Sequence, residues 1–243
     1  MRALGTVVRG AHDILSALGH VWFPPHCLLS GRYLGTEPQL IRGIADSELL
    51  HHPPAPSSTE LAVLLLRHFA PDDLALSAVH ALWAVGTGTT IDNAIYAVKY
   101  KGRTRLARDL GAWLARHPEL ENLPPDAHIL GVPIHAGRRR ERGYNQAELI
   151  AQGWSVASSR PLLPPDAVIR QRYTPTQTSQ NEHQRLRNME GAFVVPKPEL
   201  VRGRHIVLVD DVLTTGATLN TCAMALLEAG AVRVEAATLC AAV

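Results

Sequence analysis

Two adjacent carboxylates, Asp210 and Asp211, stand just ahead of a hydroxyl-rich loop, Thr214-Thr215-Gly216-Ala217-Thr218. Carboxylates repel phosphate, but their oxygens accept hydrogen bonds, so a pair of them suits two vicinal hydroxyls. The loop has the opposite preference. Threonine hydroxyls and unpaired N–H groups at a helix start donate to an anion, and the helix dipole favours negative charge there. Gly216 permits close backbone approach or a positive φ. A diol followed by a phosphate describes a ribose 5-phosphate. An acid pair ending a strand, or a Thr/Gly helix cap, is by itself a common structural arrangement; the ordered combination carries the reading.

The elements that must position these groups are written around them. Ile206-Val207-Leu208-Val209 is a short, continuous apolar run, as expected of a parallel strand covered on both faces. The acids are expected where that strand ends, the ligand edge of an open α/β sheet. A helix is predicted over Ala217–Ala229, stopped by Gly230. Upstream, helices are predicted over 1–23, 59–69, 89–99 and 103–116. Strands are predicted at 78–85 and 128–132, then a helix at 145–158 and a strand at 167–169. A short helix at 181–188 and strands at 192–195 and 232–239 complete the pattern. Strands alternating with helices predict an α/β fold with a mostly parallel sheet flanked by helices. Residues 24–58 are rich in Pro, Gly and His, so the chain reads as a small N-terminal region, 1–58, followed by a main domain, 59–243.

Three basic segments could meet an anion. Pro133-Ile134-His135 follows a predicted strand and leads into Arg138-Arg139-Arg140-Glu141-Arg142. Arginines at a helix N-terminus oppose the dipole, which predicts that they face something other than bare solvent, such as a pyrophosphate. A solvated helix start is the bland alternative. The polar stretch 170–188, with Arg172 and Arg185, reads as a loop that could close over a ligand or as an ordinary surface loop. Lys99, Lys101 and Arg103 form a third cluster, either phosphate-facing or one solvated helical face.

Composition sets the limits. The chain has 243 residues, 46% of them hydrophobic, enough for one α/β domain with an appendage. A net charge of +2 does not by itself imply nucleic-acid binding, and aromatics at 5% leave few stacking platforms. The cysteines Cys27, Cys222 and Cys240 are odd in number and far apart, which fits a reducing, cytoplasmic setting. No apolar run is long enough for a membrane span, and no Walker-type phosphate loop is present.

VLVDDVLTTGAT resembles the 5-phosphoribosyl 1-pyrophosphate (PRPP) signature of type I phosphoribosyltransferases. That resemblance implies that Asp210 and Asp211 face the ribose hydroxyls, while Thr214, Thr215, Gly216, Ala217 and Thr218 wrap the 5′-phosphate. KYKGRTRLARDLGAWLA, VPIHAGRRRERGYNQAELIA and a T-x-x-Q…R-x-R-N series occur with it in an order similar to the ComF family of competence-associated proteins. The likeness runs from Tyr96 to the C-terminus. It implies a type I phosphoribosyltransferase fold, Mg²⁺ carried with PRPP, and transfer of phosphoribosyl to an unidentified acceptor in the context of DNA uptake. Pro133, Ile134, His135, Arg138 and Arg142 become pyrophosphate candidates, and Arg172 and Arg185 catalytic candidates on a flexible loop. Lys99, Lys101, Asn145, Gln146, Thr174 and Gln177 are further site candidates. Single-stranded DNA and a competence helicase are the implied partners beside PRPP. The alternative is a non-catalytic PRPP-sensing or single-stranded nucleic-acid-binding factor. The 174–188 series also resembles the flexible loop of amidophosphoribosyltransferases, but the nucleophilic cysteine of their glutaminase domain is missing. ComF relatives commonly begin with paired C-x-x-C motifs. Here Cys27 is followed by Ser30 where a second cysteine would stand, so the module is degenerate and no zinc is expected there; packing of residues 59–85 is expected to take over its role.

Overall fold

A computed structural model of the chain describes residues 26–28, 30–35, 39–86, 90–171 and 191–242. The helices read over 1–23 and 181–188, and the site candidates Arg172, Thr174, Gln177 and Arg185, lie outside the described residues. The chain divides into two units, Met1–His51 and His52–Val243, earlier than the Pro-rich stretch suggests.

In the first unit, Cys27 anchors a tight turn. Its N–H donates to the Arg32 carbonyl at 2.7 Å, its carbonyl accepts from Gly31 N–H at 2.8 Å, and its Sγ accepts from Ala45 N–H at 3.4 Å. A short helix, α1 (Asp46–Leu50), lies within the stretch 24–58 that is rich in Pro, Gly and His. Leu34, Ile41, Ile44, Ala45 and Leu49 of this unit are buried. Among its described residues no group of three metal-ligating side chains converges.

The second unit contains α2 (Ser58–Leu65), β1 (Val79–Val85), α3 (Thr90–Tyr100), α4 (Thr104–Leu114) and α5 (Pro118–Glu121), followed by β2 (His128–Gly131), α6 (Ala136–Arg142) and α7 (Gln146–Ser158). It continues with β3 (Ile169–Arg170), β4 (Phe193–Val194), β5 (His205–Leu213), α8 (Ala217–Glu228) and β6 (Arg233–Ala242). Four strands form one parallel sheet in the order β1-β6-β5-β2. The short pair β3–β4 is antiparallel and separate, joining Arg170 to Phe193. Ile206 to Val209 are wholly buried, as the unbroken apolar run requires of a central strand covered on both faces.

Both sheet edges are covered, which removes unpaired backbone groups from solvent. Beyond β2, Ile129 N–H donates to the Pro161 carbonyl at 2.8 Å and Leu163 N–H to the Ile129 carbonyl at 2.9 Å. Beyond β1, Ala55 N–H donates to the Leu82 carbonyl at 3.0 Å and Ala84 N–H to the Pro53 carbonyl at 3.1 Å. On one face α4 and α7 cross at two glycines. A Cβ on Gly153 would lie 1.9 Å from the Arg108 carbonyl oxygen, and one on Gly111 2.0 Å from that of Ile150. Only hydrogen fits at that crossing. On α8, Asn220 accepts from Ala75 N–H at 2.8 Å and donates to the Asp73 carbonyl at 2.7 Å, tying the helix to the loop before β1.

Two expectations change. β5 does not end at the acids but runs through Asp210 and Asp211 to Leu213. The arginine run is a helix of its own, α6, capped by His135, whose Nδ1 accepts from Gly137 N–H at 3.1 Å, and closed by Gly143 in the left-handed conformation. Arg139, Arg140 and Arg142 therefore lie in its last turn, where the dipole favours cations, so the dipole gives no reason for an anion there.

Candidate functional site

The C-terminal ends of β2 and β5 open into a cavity of about 700 Å³. Asp210 and Asp211 form its floor with Val212, Thr214 and Thr218, while Val132, Pro133 and Ile134 come from the end of β2. The cationic wall consists of Lys99 at the end of α3, Arg138 and Arg142 on α6, and Arg170 on β3. Against these four cations stand three acids, Asp210, Asp211 and Glu141, so the lining suits a ligand with anionic and hydroxyl groups together.

Because β5 continues through both acids, successive side chains leave it toward opposite faces. Asp211 is buried and meets the Lys99 ammonium, with Nζ 3.0 Å from its Oδ2. Burial opposes the Lys99 charge, but Asp211, helped by Asp210, holds its pKa above the ordinary value. Asp210 lies on the other face, where its charge is felt by Arg170 and by buried Cys222. Loss of solvation and the neighbouring Asp211 charge push its carboxyl up to about 7, and one Oδ1 hydrogen bond from Asp211 N–H at 2.8 Å opposes this only in part. The two acids are therefore inequivalent: Asp211 is paired with its lysine, whereas burial and the Asp211 charge favour the protonated form of Asp210.

After Leu213 the chain turns through Thr214 and Thr215 into α8. Gly216 caps the helix at φ 76°, a left-handed conformation that favours glycine. A Cβ there would also come within 2.3 Å of Leu65 Cδ2, so that side chain would have to shift. Gly216 has no side chain to cap the helix, and Ala217 N–H reaches Thr215 Oγ1 at 3.4 Å, a long contact. The first turn of a twelve-residue helix thus presents N–H groups toward the cavity that Thr214 and Thr218 line.

Arg170 is a site residue that the motifs did not single out. Antiparallel pairing of β3 with β4 sets it against Phe193, its guanidinium 5.5 Å from the ring centroid. Burial, and then the nearby Arg138 charge, lower its pKa from the usual arginine value, while Asp210 acts in the opposite sense. Two cations held close enough to perturb each other mark a place where an anion is welcome. Tyr100, Glu141 and Tyr144 also line the cavity. Tyr144 donates to the Val98 carbonyl at 2.5 Å, fixing the α6–α7 connection against α3.

The remaining candidates divide by role. Arg142 donates to Gln146 Oε1 and lies 5.3 Å from the Tyr100 ring centroid, so both polar residues belong to the cavity wall. Asn145 is buried as the cap of α7: its Oδ1 accepts from Ala147 N–H at 3.1 Å and its Nδ2 donates to the Val132 carbonyl at 2.9 Å. It shapes the end of β2 rather than lining the cavity. His135 likewise caps α6 and does not line the cavity. Lys101 lies over the exposed Tyr96 ring at 5.5 Å, outside the cavity, and Arg139 is taken up by Glu148 through two hydrogen bonds of 2.6 and 2.8 Å.

Residues 162–242 match the family model described as "Phosphoribosyl transferase domain". The chain is 37% identical over 155 residues to the protein named DNA utilization protein YhgH of Escherichia coli strain K12, covering 60% of this chain and 65% of that one. Competence protein F of Haemophilus influenzae is 42% identical over 98 residues, 40% of this chain and 42% of its own. Competence protein ComFC of Bacillus subtilis is 36% identical over 108 residues, 44% and 41% of the two chains. The chain thus spans 65% of the length of the YhgH proteins and less of the others. Among solved structures, the allosteric regulatory enzyme of purine biosynthesis aligns over 58% of this chain and 29% of its own at 23% identity, with a TM-score of 0.39.

A parallel α/β sheet whose β5–α8 junction carries paired acids and a Thr/Gly loop, inside the matched domain, defines a protein of the type I phosphoribosyltransferase fold. Within that class, the chain is similar to proteins named for competence and DNA utilization.

Proposed function

We propose that the cavity binds PRPP with Mg²⁺ and transfers its phosphoribosyl group to an acceptor still to be identified, releasing pyrophosphate. The observation that carries this is the convergence of Asp210, Asp211, Thr214 and Thr218, beside the start of α8, with Arg138, Arg142 and Arg170 in the lining of one cavity. A ribose would donate hydrogen bonds from its two hydroxyls to the acids, its 5′-phosphate would sit at the helix start, and its pyrophosphate would face the arginines. In the transfer, the bond from the anomeric carbon to the pyrophosphate oxygen breaks and one to the acceptor forms. Charge that develops on the leaving group is met by cations already in place, so the chain contributes positioning and electrostatic stabilisation. The carboxylate oxygens at an open edge suit a hard divalent cation brought with the substrate, and Mg²⁺ would supply neutralisation of phosphate charge there. Lys99 holds Asp211 in place throughout.

A second reading, a non-catalytic PRPP sensor that handles single-stranded nucleic acid, draws support from one surface. Exposed Tyr96 and Tyr100 have ring centroids 5.0 Å apart, with Lys101 over the first and Arg142 over the second. Aromatic faces with cations beside them suit unstacked bases. The names of the relatives, DNA utilization and competence proteins, suggest a role in DNA use, and three buried cysteines without a disulfide fit a cytoplasmic setting. Pyrophosphate release from PRPP, screened against nucleobases, amines and single-stranded DNA, separates the two readings. Release with one acceptor class supports transfer. Salt-dependent DNA binding without turnover contradicts it and favours the sensor.

A further inference from the structure

At the opposite end of the sheet, where the parallel strands begin, a second group of titratable side chains converges that the PRPP cavity does not use. His80 near the start of β1 is buried, and both its ring nitrogens are engaged. Its Nδ1 lies 2.7 Å from Glu119 Oε2 and its Nε2 3.1 Å from Glu235 Oε2. His117, just ahead of α5, has its ring 6.1 Å from that of His80, and its Nδ1 is buried with no hydrogen-bond partner. One ligand atom from each of His80, His117 and Glu119 lies within 4.8 Å of the others.

We propose that His80, His117 and Glu119 form a binding site for a divalent transition metal, Zn²⁺ in particular, with Glu235 as the partner that orients His80. A metal-bound histidine commonly donates its other ring N–H to a carboxylate, which fixes the tautomer and raises ligand basicity. Glu235 is placed to do this. It is buried, with Arg233 Nε 2.7 Å and His205 Nε2 3.1 Å from its Oε1. With the proton held on Nε2, the Nδ1 lone pair of His80 points at Glu119, and a cation between them replaces the proton they would otherwise share. The orphaned His117 nitrogen is then the third ligand and water the fourth. Two imidazoles and one carboxylate are a donor set for Zn²⁺ and its neighbours; Mg²⁺ and Ca²⁺ prefer oxygen alone. Glu119 is 45% exposed at the side chain, and a cavity of about 350 Å³ lined by His80, Glu119, Asn122 and His205 gives an entry path. The bound ion would staple the α5 turn to β1. A buried ion-pair network without metal is the competing account of the same contacts.

The test uses the full chain after chelator treatment, titrated with Zn²⁺ by calorimetry and with Co²⁺ by absorption spectroscopy. One equivalent of Zn²⁺ is expected to bind, and His117→Ala and Glu119→Gln are each expected to weaken it by about tenfold or more. Both positions are partly open, and near-ultraviolet dichroism of the metal-free variants checks that the fold is kept. The Co²⁺ spectrum should show tetrahedral bands without thiolate charge transfer. Absence of a bound equivalent, undiminished affinity in both variants, or a thiolate band placing the metal at Cys27 would each overturn the assignment.

Discussion

Asp210→Asn should make the protein more stable at neutral pH while weakening its ligand. The carboxyl is pushed from 3.8 to about 7, first by burial and then by the charge of Asp211. Each unit is worth about 1.4 kcal/mol, so the rise corresponds to at most about 4 kcal/mol against the folded state. Asp210 is only half-buried, and solvent screening reduces this to ~1–2 kcal/mol. The sign follows from linkage. In the unfolded chain the carboxyl ionises near pH 4, whereas in the fold it holds its proton until near 7. The penalty is absent below about pH 4, grows between about pH 4 and 7, and is full above that. Asparagine keeps an oxygen for the hydrogen bond from Asp211 N–H and removes the charge. For a chain of this size, the gain corresponds to a Tm rise of ~3–6 °C at about pH 8, shrinking toward zero near pH 4. Thermal melts across that range, with urea titrations at the two ends, provide the assay. A variant no more stable than wild type at pH 8, or equally stabilised at both ends, refutes the reasoning.

Three further outcomes follow from the same geometry. Lys99→Met leaves Asp211 buried without its cation and should destabilise the fold by ~2–3 kcal/mol in urea titrations, with much of the loss recovered by adding Asp211→Asn. Gly216→Ala forces a Cβ into a left-handed residue and against Leu65, and should cost ~1–2 kcal/mol in the same measurement while weakening phosphate-bearing ligands. Arg170→Gln should lower PRPP affinity by about tenfold in calorimetry and reduce its salt dependence, while Phe193 keeps its place against β3.

What the sequence disclosed depended on how far apart the interacting residues lie. The β5–α8 junction was legible because strand, acids, loop and helix are consecutive, and the apolar run at 206–209 marks a strand covered on both faces. Its extent was not. The acids were expected beyond the strand, but pairing with β6 carries β5 on to Leu213 and thereby puts Asp210 and Asp211 on different faces. The Lys99–Asp211 pair and the arrival of Arg170 in the cavity rest on contacts between distant segments, which periodicity does not encode. The dipole argument for the arginines failed because a short helix ending at Gly143 places them in its last turn, where the field favours them. Asn145 looked like a ligand-facing polar residue and is a buried helix cap, a role its position just before an apolar helical run does signal.

The central claim is that paired acids and the α8 start hold PRPP. Its most direct test is calorimetric titration of PRPP with Mg²⁺ into the wild-type chain and into Asp210→Asn/Asp211→Asn. The account predicts saturable binding to wild type and at least a tenfold loss in the double variant, with the fold intact by dichroism. Equal affinity in the two proteins would contradict it.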